Sequence, residues 1–546
     1  MAESSVSGFS VAEESGAHHA IARVASNVAA FIGRTLKGPV NQPVSIRSFA
    51  EYAQIFGALW QPSTVSYAVE QFFENGGRVA LVVRVVNGAR PPTVTLPAGD
   101  SFLTLRALAP GSREYLRASV DYDGIAATDV DRFNLVLQRV RAAGSEQIED
   151  QEILRSLSIL PDATRFVADA LTESRLVRLH GTLPAQRPDR TPPQASGAVV
   201  GYVGSNPDGD DGAALSDYDI IGSSIKESGI FALKSAPPFN LLCIPPLTRT
   251  QDVGLSSLLV AARFCRDHHA ILIVDPPASW RDPKSALEQF PKWPFRSENA
   301  AMFYPRIAAY DRLRGRVETF ASSGAAAGLI SRWDDNWPVW AAAEGDDAAL
   351  RPGLKLSGVV PDVDRVRLAQ LGINVLSTVR LPPRLSASPR TLAAGAVATT
   401  DWRYLSSRRL ALFIMASIAS GTRWMMFETN GPDLWRRARG QVDAFLTALF
   451  HDGAFVGRAA EDSFFVICDQ RVNDAVQAAA GSVSLLFGFA ASRPGEFHAC
   501  LVTHRGGTSR VKPVSVNRMT TSQGQVTEEI ETAILRGIAA EALEGA

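Results

Sequence analysis

The sequence predicts a multidomain α/β and α+β protein with a central α/β domain, an inserted β-rich domain and a C-terminal α+β domain carrying extended terminal arms. Three observations carry this expectation. The chain has 546 residues, more than one hydrophobic core serves. Apolar runs such as VALVVRVV (79–86) alternate with amphipathic helical stretches, as in a sheet covered on both faces. Between residues 89 and 197 the texture changes to short alternating strands, entered through ARPPTVTLPAG (89–99) and left through LPAQRPDRTPPQASG (183–197).

Residues 1–26 are small and polar, cannot bury a face of their own, and read as an extended N-terminal arm. The central domain starts with the strand VAAFIG (28–33). A helix follows, capped at Ser48, with Glu51 placed to reach back to the cap and Gly57 to stop it. A second helix, about residues 63–75, carries Val65, Ala68, Val69, Phe72 and Phe73 on one stripe and stops at Gly76. After the insertion (89–197), the central domain resumes over 198–395. FNLLCIPPL (239–247) and AILIVDPPASW (270–280) read as buried strands. The helix between them has Leu255, Leu258, Leu259, Ala262 and Phe264 on its apolar face. AAMFYPRIAAYD (300–311), GAAAGLISRWD (324–334) and LGINVLSTV (371–379) read as further strand material. Over 396–546 the pattern is a helix from Asp401 to Gly421, a strand RWMMFE (423–428) and a helix opened by Pro432. That helix turns Leu434, Ala438, Val442, Phe445, Leu446 and Leu449 inward. Four strand-like runs follow: SFFVICD, SVSLLFGFA, EFHACLVTH and SRVKPVSVN. The tail 525–546 reads as a short acidic helix.

Composition narrows the function classes. Hydrophobic residues are 46%, charged residues 20% and the formal net charge is −1, so the basic excess of a nucleic-acid coat is missing. Balanced charge also means little self-repulsion among copies. Cys243, Cys265, Cys468 and Cys500 lack CxxC spacing and read as buried free thiols. The N-terminus has no signal-peptide pattern, and no apolar run reaches the ~18–20 residues of a membrane span. The expectation is a chain made and folded in a reducing cytoplasm.

Candidate chemistry is sparse. Walker, G-x-S-x-G, H-E-x-x-H and G-x-G-x-x-G patterns are absent from the sequence. NPDGDDG (206–212) has the acidic spacing of a calcium loop, but its sixth position is Asp211 where glycine is needed and its twelfth is Asp217; a solvated turn fits better. His268, His269 and Asp275 flank a buried strand, either as a dyad or as histidines satisfying a helix C-terminus. RWDDNW (332–337) is either an acidic pocket rimmed by tryptophans or a loop with packed aromatics. Arg436, Arg437 and Arg439 on the Pro432 helix form a solvated face or a docking strip. No catalytic residue, cofactor or metal site is assigned.

Several stretches resemble the phage tail sheath family: GFSVAEE (8–14), FIGRTLKGPVNQPVSIRSFAEYAQIFG (31–57) and YAVEQFFENGGRVALVVRVV (67–86). Similar stretches continue with ILIVDPP (271–277), GAAAGLISRWDDNWPVWAAAEG (324–345), LGINVL (371–376), residues 401–455 and ASRPGEFHACLVTH (491–504). The resemblance covers most of the chain outside the insertion. Where the family carries a tryptophan-and-arginine strand after its GIN motif, this chain has RLPPRLSASPRTLA (380–393).

The resemblance implies a subunit of a contractile tail sheath, an open helical homopolymer around an inner tail tube, with baseplate and tail terminator as further partners. It implies no direct contact with nucleic acid, no membrane insertion, and a place in the virion tail assembled in the bacterial host cytoplasm. Inter-subunit joining would fall to the N-terminal arm (Gly8, Phe9, Val11, Glu13, Glu14) and a C-terminal arm (Val511, Val514, Val516). Arg436, Arg437 and Arg439 would face the tube. The alternatives are the sheath of a non-phage contractile injection system, a baseplate or terminator protein and, from a different class, an α/β hydrolase or nucleotide-binding enzyme.

Overall fold

The computed structural model describes residues 20–193, 200–342, 346–377, 382–385, 388–393, 401–473, 481–491, 493 and 497–514. The expected N-terminal contacts at Gly8, Phe9, Val11, Glu13 and Glu14, the residue Val516 and the acidic tail 525–546 lie outside them. Two compact units emerge. One comprises the described residues of Ala25–Leu405, the other those of Met1–Val24 with Ser406–Ala546.

The larger unit is organised by a seven-stranded sheet. Strand β1 (Val28–Gly33) leads to β2 (Val44–Ile46), helices α1 (Phe49–Phe56) and α2 (Thr64–Glu74), and β3 (Val79–Arg84). Ser48 Oγ caps α1 by accepting from Glu51 N at 3.1 Å. The Glu51 carboxylate reaches one residue beyond the expected cap partner, accepting from Arg47 N at 2.7 Å. Gly57 ends the helix at φ 93°, a left-handed conformation in which a side chain is strained.

The inserted segment then forms two sheets from β4 (Thr93–Ala98), β5 (Ser101–Ala107), β6 (Tyr115–Asp121), β7 (Arg132–Val140), β8 (Ile148–Ser158), α3 (Val167–Thr172), β9 (Val177–Leu179) and β10 (Val203–Gly204). Their orders are β10-β6-β7-β8 and β4-β5-β9. Leu96, Leu103, Leu135, Leu137, Val167 and Leu171 pack in a core of their own. At the root Arg84, 1% exposed, donates to the carbonyls of Gly38 (2.7 Å) and Pro110 (2.8 Å). Burial lowers its pKa to about 10, which still leaves it charged.

The chain returns through α4 (Asp217–Ile221), β11 (Leu241–Cys243), α5 (Leu255–Asp267), β12 (Ile271–Val274), α6 (Pro283–Gln289), β13 (Ala300–Tyr304), the hairpin β14 (Ile307–Asp311) and β15 (Arg316–Phe320), α7 (Ser323–Asn336), β16 (Lys355–Leu356), α8 (Asp362–Gln370) and β17 (Ile373–Val375). The sheet order is β17-β13-β12-β11-β1-β3-β2, parallel except for β2. Strand alternation sends Ala30, Ile32, Leu242, Leu272 and Met302 into one core with Leu258 of α5, Ala286 of α6 and Leu368 of α8. On the opposite face Phe31 meets Phe72 of α2 edge-on at 5.4 Å. Cys243 Sγ there lies 3.8 Å from the carbonyl of Ser323, at the head of α7.

Two sequence expectations fail here. GAAAGLISRWD is the helix α7, not strand material. A short apolar run is ambiguous between the two, and alanine favours the helix. Leu255 and Leu259 are 37% and 52% exposed, because the buried stripe of α5 runs through Ser257, Leu258, Ala261, Ala262, Phe264 and Cys265.

The smaller unit contains α9 (Leu405–Gly421), α10 (Pro432–His451), β18 (Phe464–Ile467), β19 (Ser482–Phe489), β20 (His498–Arg505) and β21 (Thr508–Val514), whose four strands form one antiparallel sheet in sequence order. RWMMFE, expected as a strand, is a 3₁₀ turn at Arg423–Phe427. Thr422 Oγ1 bonds back to the Ile418 carbonyl and carries the helical winding onward. The span Leu405–Phe427 is long and apolar enough to cross a membrane by length and composition, yet 56% of its window is buried within the protein. The six expected inward residues of α10 are all buried.

Helices α2 and α7 approach so closely that a Cβ added at Gly324 would lie 2.2 Å from the Ala68 carbonyl oxygen, and one at Gly328 2.3 Å from that of Phe72. Glycine to alanine in an exposed helix gains up to ~1 kcal/mol. Here overpacking reverses the sign, and Gly328→Ala is expected to destabilise the chain by about 1–3 kcal/mol in urea titration.

Candidate functional site: strand edges and helix faces

The catalytic candidates resolve into structural roles. In the 206–212 loop Asp208 accepts from Thr93 N (2.9 Å) and Oγ1 (2.7 Å), and Asp211 accepts from Ser112 N and Oγ, both at 2.8 Å. The acidic loop thus staples the root of the insertion. Asp275 accepts from Ser323 N (2.8 Å) and Oγ (2.7 Å), while burial raises its pKa. His268 caps α5 and stacks on Phe264 at 4.0 Å, with its pKa lowered by desolvation. In RWDDNW, Trp333 and Trp337 stack at 5.6 Å, and Asp335 pairs with Arg78 (2.9 Å) and Asn27 (2.6 Å). No group of three or more His, Cys, Asp or Glu that could hold a metal occurs among the described residues.

What remains are surfaces. On α10, Arg436, Arg437 and Arg439 are exposed. At about 100° per residue, Arg436 lies opposite the buried stripe, with Arg437 and Arg439 on its flanks. Arg436 pairs with Asp433 and Arg437 with Glu428. The Arg437 guanidinium also covers the Trp424 ring at 5.1 Å. Arg439 helps hold the Asp469 carboxyl below its usual range, after the larger effect of Arg471.

Among the described residues strand β21 is the edge of its sheet, and Val511 and Val514 pair within the chain, opposite Val502 and Ala499. The hairpin turns at Gly506 (φ 53°) and Gly507 (φ 81°), two left-handed residues that suit a two-residue type I′ turn. The turn fixes the register: Arg505 and Thr508 exchange main-chain bonds and the pairs alternate from there. Ser509, Val511 and Pro513 consequently direct their main-chain groups to the outer edge. Pro513 lacks an N–H and is tolerated because that side needs none. At the other end of the chain, Ile21 is buried against Gly421 and Val24 N donates to Ser417 Oγ at 3.3 Å.

A buried histidine ties the sheet to the helical part of this unit, and local sequence patterns give no sign of it. His504, 1% exposed, lies 2.8 Å from Thr422 Oγ1 through Nε2 and 2.8 Å from Ser509 Oγ through Nδ1. Thr422 Oγ1 donates to the Ile418 carbonyl at 2.6 Å. It therefore accepts from His504 Nε2–H, and Nδ1 accepts from Ser509, which defines a neutral tautomer. Desolvation, with Arg423 adding repulsion, lowers the His504 pKa from 6.5 to about 4.

Likeness to solved structures shows the fold. The sheath of an extracellular contractile injection system (PVC, contracted state) matches at TM-score 0.52 and 16% identity, over 96% of this chain and 100% of that one. The contracted helical sheath of the anti-feeding prophage matches at 0.51 and 17%, over 91% and 98%. A sheath tail protein from Listeria innocua matches at 0.56 and 11%, over 90% and 95%. No protein-family model and no curated protein matches the chain. The chain therefore has the fold of contractile sheath proteins, along nearly its whole length.

Because His504 is held neutral, its contribution to stability is fully present above pH ~6.5 and is lost as pH falls toward about 4. At 1.36 kcal/mol per pH unit, the loss should approach about 3 kcal/mol. Urea titrations at pH 7.5 and 4.5 should show that difference, and His504→Gln should flatten it.

Proposed function

We propose that the chain is the sheath subunit of a contractile tail. It polymerises helically around an inner tube and contracts by rigid-body rearrangement, driving the tube through a target envelope for genome ejection or effector delivery. The observation that carries this reading is the sheath fold matched end to end, rather than over one domain.

The physical parts agree with it. A sleeve of identical subunits needs a head-to-tail contact that does not close, and an unpaired strand edge is a ready acceptor for a strand from another copy. The outer edge of β21 offers one, and the arm 1–26 with Gly8, Phe9, Val11, Glu13 and Glu14 supplies the strand. Val511 and Val514 stand on that acceptor strand itself, and the C-terminal contact between copies runs through them and Val516. The central, inserted and C-terminal portions act as three rigid domains with boundaries near residues 89, 197 and 396. Arg436, Arg437 and Arg439 face the tube, where charged contacts hold the extended state and release on contraction. Contraction draws on differential burial between two packings. A gain of only ~1–2 kcal/mol per subunit, multiplied over many copies, makes it irreversible. Baseplate and terminator proteins complete the partners, and the assembly forms in the host cytoplasm as part of a virion tail.

A second reading keeps the sheath role in a non-phage injection system. The fold match to the PVC and anti-feeding prophage sheaths favours it. The neighbours are structural proteins, which speaks against an enzyme.

Negative-stain electron microscopy of the full chain is expected to show hollow cylinders, lost when residues 2–26 are deleted. Compact discrete particles from both samples, even with tube protein added, would overturn the reading. Val511→Pro removes only a donor on the outer edge. It should abolish cylinders while leaving the unfolding free energy from urea titration within about 1 kcal/mol of the parent.

A further inference from the structure

The C-terminal end of α2 holds two arginines that come from distant parts of the chain. Asn75 caps the helix and is fully buried. Its amide donates to the Gln71 carbonyl at 2.7 Å, which orients the group, and its Oδ1 accepts from Arg351 N at 2.9 Å. Gly76 follows at φ 100°, and a Cβ there would lie 2.8 Å from Cδ of Arg332, so the Arg332 side chain runs across the bare glycine. Arg78 stands just ahead of β3.

These arginines line a cavity of about 580 Å³, a size that suits a small molecule. Its charged lining is Arg78, Arg332, Arg351 and Arg384 against Asp346 and Asp347. Two of the arginines meet carboxylates: Arg78 Nε lies 2.9 Å from Asp335, and Arg384 Nη2 lies 2.6 Å from Asp346. The other two form no ion pair among the described residues. Arg332 Nη2 donates to the main-chain carbonyls of Asp347 and Ala349, and its Nε is buried without an acceptor. The Arg351 side chain is exposed and has no partner in the chain beyond its main-chain bond to Asn75. Burial, and after it repulsion from Arg351, lowers the Arg332 pKa. Asp347 offsets part of this, while its Oδ2 accepts from Trp337 Nε1 at 3.2 Å. The fold thus leaves positive charge uncompensated in a concave place.

We propose that this cavity binds a small phosphate-bearing anion, with Arg332 and Arg351 supplying the charge that holds it. A guanidinium presents its N–H donors in a planar fork that matches two oxygens of a carboxylate or phosphate. A carboxylate has only those two oxygens and satisfies one fork. Four guanidiniums around one cavity call for oxygens facing several directions, which a tetrahedral phosphate supplies and a pyrophosphate supplies better. Bound there, the anion relieves the repulsion between Arg332 and Arg351 and joins the end of α2 to the loop after α7. The site needs no second copy of the chain, so it goes beyond the polymer reading and does not depend on it.

Equilibrium dialysis of the full-length chain against sodium pyrophosphate, at an ionic strength fixed with sodium chloride, reads single chains and polymer alike. Saturable binding of one pyrophosphate per chain is expected, with a Kd below about 1 mM. Arg351→Gln should weaken it at least ~10-fold, the effect of losing one charge-assisted contact. The urea midpoint of this variant should not move, because the side chain it removes holds nothing in the fold. Arg351→Lys keeps the charge but loses the fork, and should bind between the two. Arg263→Gln, which removes an exposed charge on α5, should bind as the parent does. Failure to saturate by about 10 mM overturns the proposal. Parent-like binding by Arg351→Gln overturns it too, and so does equal weakening by Arg351→Gln and Arg263→Gln, which would mean screening alone. If pyrophosphate does not bind and Arg351→Glu abolishes cylinders, the arginines take carboxylates of another copy, and the anion site is overturned in favour of that contact. Cylinders from the parent chain report on the sheath reading separately.

Discussion

A parallel sheet has to be covered on both faces, and most of the larger unit follows from that requirement. Strands β1, β3, β11, β12, β13 and β17 bury nearly every side chain. Helices α5, α6 and α8 close one side, and α2 and α7 close the other. The glycines at 324 and 328 exist because α7 has to come down onto the backbone of α2. The insertion leaves and returns at the end of β3, so the layers are uninterrupted. Buried Arg84 fixes that root by filling carbonyl acceptors on both sides of it.

How much of this was legible in the sequence depended on how local the cause was. Ser48, Glu51 and Gly57 mark α1 because cap and stop lie within one helix length. The stripe of α10 is legible residue by residue because its period is uninterrupted from Leu434 to Leu449, about four turns. The texture change at residue 89 falls just before β4 and the separate core that begins with Val94 and Leu96. The α7 segment misleads because small apolar residues carry no period, so alanine's helix propensity and the packing against α2 decide what periodicity leaves open. Leu255 and Leu259 misled for a related reason: leucine marks a helix face, but alanine and serine line the side of α5 that touches the sheet.

The surfaces were harder. Arg436, Arg437 and Arg439 are visible as a cluster, and Arg436–Asp433 is a local pair within α10, but the Arg437–Glu428 pair depends on the turn at Arg423–Phe427, whose residues read as a strand. The His504 link joins residues 82 positions apart, beyond any local pattern. The end-to-end match to sheath structures at 11–17% identity says the same thing about the fold. Very different side chains satisfy one set of layers.

The four free cysteines have a consequence for the lifetime of anything built from this chain. Desolvation raises each thiol pKa, to about 12 for Cys468 and Cys500 and further for Cys243 and Cys265. Only the thiolate attacks disulfides or peroxides, so burial holds all four thiols in the unreactive protonated form at neutral pH. Crosslinking and sulfenic-acid formation at these four positions are slowed accordingly while the chain is folded.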